Sequence, residues 1–162
     1  MKVREYHSQL ELPVPPGALF SFFADARNLN AITPPWVHFR MISAPPVPLR
    51  EGALIDYRLR VHGMPLRWRT RISAWEPPFR FVDEQLRGPY RLWVHTHTFT
   101  PRAGGTLVDD HVRYAVPFDL LLHRWFVQPD VEKIFRFRAE ALRVRFANAE
   151  TNLPHPLVKE SL

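Results

Sequence analysis

The sequence predicts an α+β domain: a curved antiparallel sheet of about seven strands wrapped around one long C-terminal helix. Apolar residues recur with period two for roughly 80 residues, between positions 36 and 116, as strands with one buried face require. One strand and two short helical segments precede that run. After it, residues 129–147 carry apolar side chains at spacings of three and four, the mark of an amphipathic helix.

Each element has a local reason. Residues 3–12 alternate weakly and stop at Pro13, and PVPPG then breaks the strand. Residues 18–28, with Leu19, Phe20, Phe22 and Phe23, read as a first short helix, and residues 28–33 as a second, ended by Pro34 and Pro35. Six strands follow at 36–43, 53–61, 66–75, 79–86, 90–100 and 106–116. Their linkers, HGMP, EPPF, RGPY and PRAGGT, supply glycine or proline where hairpins need them, so neighbouring strands should form a meander. After an apolar segment at 118–126, Gln128, Pro129 and Asp130 form a helix start with proline and acid in the first turn. Val131, Ile134, Phe135, Leu142 and Phe146 make the stripe of the long helix, with Arg136, Glu140 and Arg143 off it. Residues 1–147 read as one domain and 148–162 as an irregular tail.

Composition narrows the function. The chain has 162 residues and no cysteine, which allows a real core and excludes disulfides, thiolate metal sites and a thiol nucleophile. No run approaches the ~20 apolar residues of a membrane span, and the expected location is the cytoplasm. The net charge of +6 comes almost entirely from arginine. Arg58, Arg60, Arg67, Arg69 and Arg71 take alternate, outward strand positions, as in a solvated sheet face; no nucleic acid partner is expected, and peripheral membrane contact stays open.

The most informative stretch is FVDEQLRGPYRLWVHTHTF at 81–99. Alternation places Asp83 and Gln85 beside Phe81, and His95 and His97 beside Trp93 and Phe99, where a strand normally buries hydrocarbon. Buried polar groups persist only if they bond one another, hold water or face a ligand. On the next strand Asp110 shares a face with Val112 and Tyr114, across from His95 or His97. Tyr57 and Trp68 fall on inner faces, Phe135 lies on the helical stripe, and Arg138 lies close to it, where it could pair with an acid such as Asp83 or hold an anionic head group. Tyr57, Trp68, Asp83, Gln85, Trp93, His95, His97, Asp110, Tyr114, Phe135 and Arg138 are the candidate ligand contacts. His95 and His97 with Asp83 or Asp110 could also bridge a metal. The chain lacks the acid that a cupin carries soon after its second histidine, and the reading adopted has no metal and no cofactor. No serine sits in a nucleophile elbow, and Gly104-Gly105 is a hairpin turn.

A broader pattern accompanies these residues: Asn28-Leu29 with Thr33-Pro34-Pro35, Gly52 with Ile55 and Tyr57, Trp68, the 81–85 run, Gly88-Pro89-Tyr90, Trp93 with His95, His97 and Phe99, Gly105-Thr106 with Asp110 and Tyr114, and Ile134-Phe135 with Arg138. With this element order, the chain resembles the helix-grip fold of the START-like superfamily, and within it a bacterial stand-alone ligand-binding subgroup. The superfamily includes lipid-transfer domains, plant pathogenesis-related allergens, coenzyme Q-binding proteins and polyketide cyclase/aromatases. The resemblance implies binding, transport or presentation of a hydrophobic small molecule or lipid between sheet and helix. It also implies an alternative, a cyclase/aromatase or dehydratase using His95, His97, Asp110 and Tyr114 as acid/base groups.

Overall fold

The computed structural model describes residues 2–117 and 123–147; the predicted tail at 148–162 and most of the apolar segment at 118–126 lie outside the described residues. Seven antiparallel strands form one sheet in the order β1-β7-β6-β5-β4-β3-β2. They are β1 (Arg4–Leu12), β2 (Arg40–Met41), β3 (Leu54–Val61), β4 (Met64–Glu76), β5 (Arg80–Arg87), β6 (Leu92–Arg102) and β7 (Gly105–Ala115). Helix α1 (Pro16–Phe23) and a 3-10 helix (Ala26–Ile32) follow β1, and the long helix α2 (Gln128–Phe146) follows a π-helical turn (His123–Val127). This is the helix-grip architecture, with α2 against the concave face.

Local chemistry sets the boundaries. The expected helix at 18–28 ends five residues early, because Asp25 leaves the helical region and its carboxylate accepts from the Arg27 N–H, capping the 3-10 helix. The expected strand at 36–43 is largely replaced by a 3-10 turn (Pro35–Val37), ended by His38 in the left-handed region; only Arg40–Met41 pair with β3. Proline at two successive positions and a positive φ of 45° remove the extended geometry that apolar alternation alone suggested. The β3–β4 hairpin turns through His62 and Gly63, both at positive φ, as a two-residue loop of the primed type requires.

The two ends of the concave face differ. Phe20 and Phe23 of α1 meet Phe81 of β5 and Phe99 of β6 edge-on or tilted, and with Leu142 of α2 they form a solid core. Register shifts in β4 at Arg69/Thr70 and Ile72/Ala74 bend the sheet there, and the second re-aims Trp75 inward, onto Phe20 and Phe81. On α2, positions 131, 135, 138 and 142 face the sheet, and Arg138 is the one polar residue among Val131, Phe135 and Leu142.

Candidate ligand cavity

Beneath the N-terminal half of α2 the concave face stays hollow. A cavity of about 610 Å³ opens there, between β3–β6 and the helix. Its wall is ring-rich. Tyr57 of β3 stacks near Trp68 of β4 (centroids 5.9 Å, 15°), and Trp93 of β6 stands perpendicular to Trp68 at 5.5 Å. The rings pack on one another along the wall, so the space in front of them is not filled from the helix side. Tyr57 Oη and Thr70 Oγ1 lie 3.3 Å apart, and burial pushes the Tyr57 phenol up, keeping it neutral. Trp68 Nε1 is buried and, among the described residues, has no hydrogen-bond acceptor.

The floor, where hollow meets solid core, is polar. In register, Asp83 sits opposite His95 and His97 opposite Asp110. The hydrogen bonds cross that register diagonally. His95 Nε2 is 2.8 Å from Asp110 Oδ1, and His97 Nε2 is 2.9 Å from Asp83 Oδ2. Arg138 Nη2 lies 3.3 Å from His97 Nδ1 and its Nε 3.8 Å from Asp110 Oδ2. Each imidazole sets its Nε2 against a carboxylate, and His97 Nδ1 lies 2.9 Å from Asp110 Oδ1 as well as 3.3 Å from Arg138 Nη2, so the His97 ring bridges both acids. The nearest carboxylate to Arg138 is therefore Asp110, rather than the Asp83 considered from the sequence.

Electrostatics agrees with this arrangement. Burial, reinforced by His97, pushes the His95 imidazole down to about 4 against the pull of Asp110 and Asp83, so it is neutral at physiological pH. Burial would raise both carboxyls, but it is outweighed. Arg138 with the His95 and His97 bonds holds Asp110 well below the usual carboxylate range, and the His97 bond with nearby cationic groups lowers Asp83. Two carboxylates against one guanidinium leave an excess of acceptor capacity at the floor. Asp83 is the more open of the two, with 18% of its side chain exposed against 9% for Asp110.

Of the residues singled out from sequence, Tyr57, Trp68, Asp83, Trp93, His95, His97, Phe135 and Arg138 line the cavity. Gln85, Asp110 and Tyr114 do not. The Gln85 amide folds back on the β5–β6 turn, donating to the Tyr90 carbonyl and accepting from its N–H, which requires Gly88, where a Cβ would run into that amide. Asp110 lies behind His95 and His97 as their anchor. Tyr114 packs against Trp93 and Tyr90, outside the cavity lining. Sequence reasoning missed Thr70, Tyr90 and the mouth. Thr70 shares strand parity with Trp68 and Ile72, a usable signal; Tyr90, the first residue of the strand expected at 90–100, precedes β6, which begins at Leu92, and its parity there is opposite to that of Trp93. At the mouth His62 Nε2 reaches Asp130 Oδ2 at 2.7 Å and its ring meets Phe126, joining the β3–β4 hairpin to the start of α2.

Asp83, His95 and His97 each offer a ligand atom within 4.8 Å of the others, the spacing of a metal site. In the structure both ring nitrogens of His97 are engaged, Nε2 by Asp83 and Nδ1 by Asp110 and Arg138.

Fold and hollow together define a helix-grip protein with an internal cavity. The chain belongs to the polyketide cyclase/dehydrase and lipid transport family, whose model matches residues 12–143. No curated protein matches it. Among solved structures it is similar to the Zhui aromatase/cyclase from Streptomyces sp. R1128, with a TM-score of 0.73 at 14% identity over 92% of this chain and 96% of that one. It is also similar to norcoclaurine synthase of Thalictrum flavum, with a TM-score of 0.69 at 11% identity over 92% of this chain and 97% of that one. A third similar structure is Ara h 8.0201, with a TM-score of 0.68 at 15% identity over 91% and 99%. At these identities the structures speak for the fold. Among the described residues no helix is long and apolar enough to cross a membrane.

Proposed function

We propose that the protein binds a hydrophobic, ring-bearing small molecule or lipid in the cavity, holding or presenting it rather than transforming it. The observation that carries this reading is the apolar hollow with a charged floor at one end. The wall supplies burial and the floor supplies orientation. Asp83 accepts from a hydroxyl or phenol of the guest, while Arg138 and Asp110 keep the imidazoles in place. Phe135 and Trp93 flank the floor and press the apolar body against the wall.

Native mass spectrometry of gently purified protein, with organic extraction of what it carries, tests this. The expected result is a released apolar mass in one-to-one ratio, diminished in Trp68→Ala. A protein that never retains any apolar compound, in cells or after soaking, contradicts it.

One observation favours a second reading, an enzyme of cyclase or dehydratase type: two histidine–carboxylate pairs border the same hollow. In that reading His95 or His97 moves the proton and Asp110 positions it. Tyr114, outside the lining, would take no direct part. Turnover of a polyketide-like substrate that His97→Gln abolishes while binding persists would favour the enzyme.

A further inference from the structure

The outer face of β2–β4 carries a feature the cavity does not explain. Antiparallel register sets Arg40 opposite Arg58, and Arg58 opposite Arg67, so three guanidinium groups stand in one row across three strands. Neighbouring strands are about 5 Å apart, which makes the row roughly 10 Å long. All three side chains are exposed, as is Arg60 two positions along β3.

Elsewhere on the same face arginines are neutralised. Arg69 forms a two-bond pair with Asp56 (2.7 and 3.1 Å), and Arg71 meets Glu84 at 3.0 Å. Among the described residues, Arg40, Arg58, Arg60 and Arg67 have no carboxylate partner. Like charges directly opposite on paired strands destabilise a sheet, so the row is a standing cost in the free protein.

The row also borders a recess. A second cavity of about 440 Å³ at this sheet edge is lined by His38, Arg40, Arg58, Leu59, Arg60 and Pro65. Three arginines and a histidine thus border one concavity, together with Leu59 and Pro65. Planar guanidinium groups match phosphate oxygens in bidentate fashion, and several in line suit adjacent phosphates better than a single carboxylate.

We propose that this recess is a binding site for a phosphate-bearing anion of diphosphate size, held by Arg40, Arg58 and Arg60 with Arg67 and His38 at its rim. The anion neutralises the row and removes the cross-strand repulsion. Only the strand β3 separates this site from the ligand cavity: Arg58 and Arg60 point outward, while Leu59 borders both spaces. The site stands independently of what the cavity holds.

Inorganic pyrophosphate is the probe, titrated into the full chain and followed by amide chemical shifts and by calorimetry. The expected result is saturable binding with shifts confined to residues 38–41, 58–60 and 65–67. Arg58→Glu should weaken it by about tenfold or more, Arg40→Gln by less, and Arg102→Glu, on a distant exposed arginine, not at all. Arg40→Gln keeps the test valid if the charge reversal fails to fold. A parallel arm spins the protein down with phosphatidylcholine vesicles containing or lacking phosphatidic acid. Sedimentation with the acidic vesicles, lost in Arg58→Glu, assigns the phosphate to a lipid headgroup; pyrophosphate binding without sedimentation assigns it to a soluble molecule. Absence of saturable binding in both arms, or equal weakening by Arg102→Glu, overturns the proposal.

Discussion

One sheet and one helix enclose two unlike halves. At the β1–β7–β6 end, α1 packs Phe20 and Phe23 into a buried core with Leu10, Leu12, Phe99, Val108 and Leu142. At the β3–β4 end the 3-10 helix borders the space with Ala26, Leu29 and Ile32 without filling it, and Tyr57, Trp68, Tyr90 and Trp93 lie along the opposite wall. Both halves are aromatic, so hydrophobic content does not decide which is hollow. What decides it is whether a second helix reaches in. The polar floor of Asp83, His95, His97, Asp110 and Arg138 stands at the boundary, where it is dry enough to need internal bonding and open enough to meet a guest.

Removing bulk should hurt the solid half most. Phe99, 1% exposed, touches the rings of Phe20, Phe23 and Phe81, and Phe99→Ala is expected to cost about 3–5 kcal/mol of unfolding free energy by urea titration. The same experiment on Leu59→Ala, which already borders empty space, should cost less than about 1.5 kcal/mol. Equal losses would erase the distinction between the halves.

The boundary comes next in size. Asp110→Asn takes the charge from the carboxylate that accepts from His95 and faces Arg138, and should cost about 2–3 kcal/mol. The pH dependence follows from His95. Its folded-state value of about 4 lies below the ordinary 6.5, so between those values the unfolded chain binds the extra proton and stability falls as pH falls. The expected loss from pH 6.5 to 4 is on the order of 1–3 kcal/mol, and His95→Gln should flatten that slope. A slope unchanged in His95→Gln would remove this histidine from the account. The smallest effect belongs to the turn: Gln85→Ala frees the Tyr90 backbone for about 1 kcal/mol by the same urea titration.

How far these halves could be read from sequence depends on what periodicity encodes. Alternation in β5–β7 assigned Asp83, His95, His97 and Asp110 to the inner face, and the observed register joins them. Period two fixes a face but not a depth. Asp110 and Tyr114 have the inward parity of cavity residues, yet they lie behind other side chains. The bulge after Ile72 was invisible because Ser73 and Ala74 carry no turn signal, although it decides that Trp75 points in. Near 36–43 apolar alternation overstated the strand, because Pro34, Pro35 and the left-handed His38 govern the backbone there. The arginine row escaped for a different reason: each arginine reads as an ordinary outward residue, and only cross-strand register brings three of them into line.

The central claim is that the hollow takes an apolar guest, and filling it is the most direct test. Ile134→Trp combined with Leu66→Phe places added ring volume on two residues of the cavity lining. Titration with an environment-sensitive apolar fluorophore should show saturable one-to-one binding to the unaltered chain and none to the filled variant, with the variant at least as resistant to urea. Equal binding to both proteins would contradict the account.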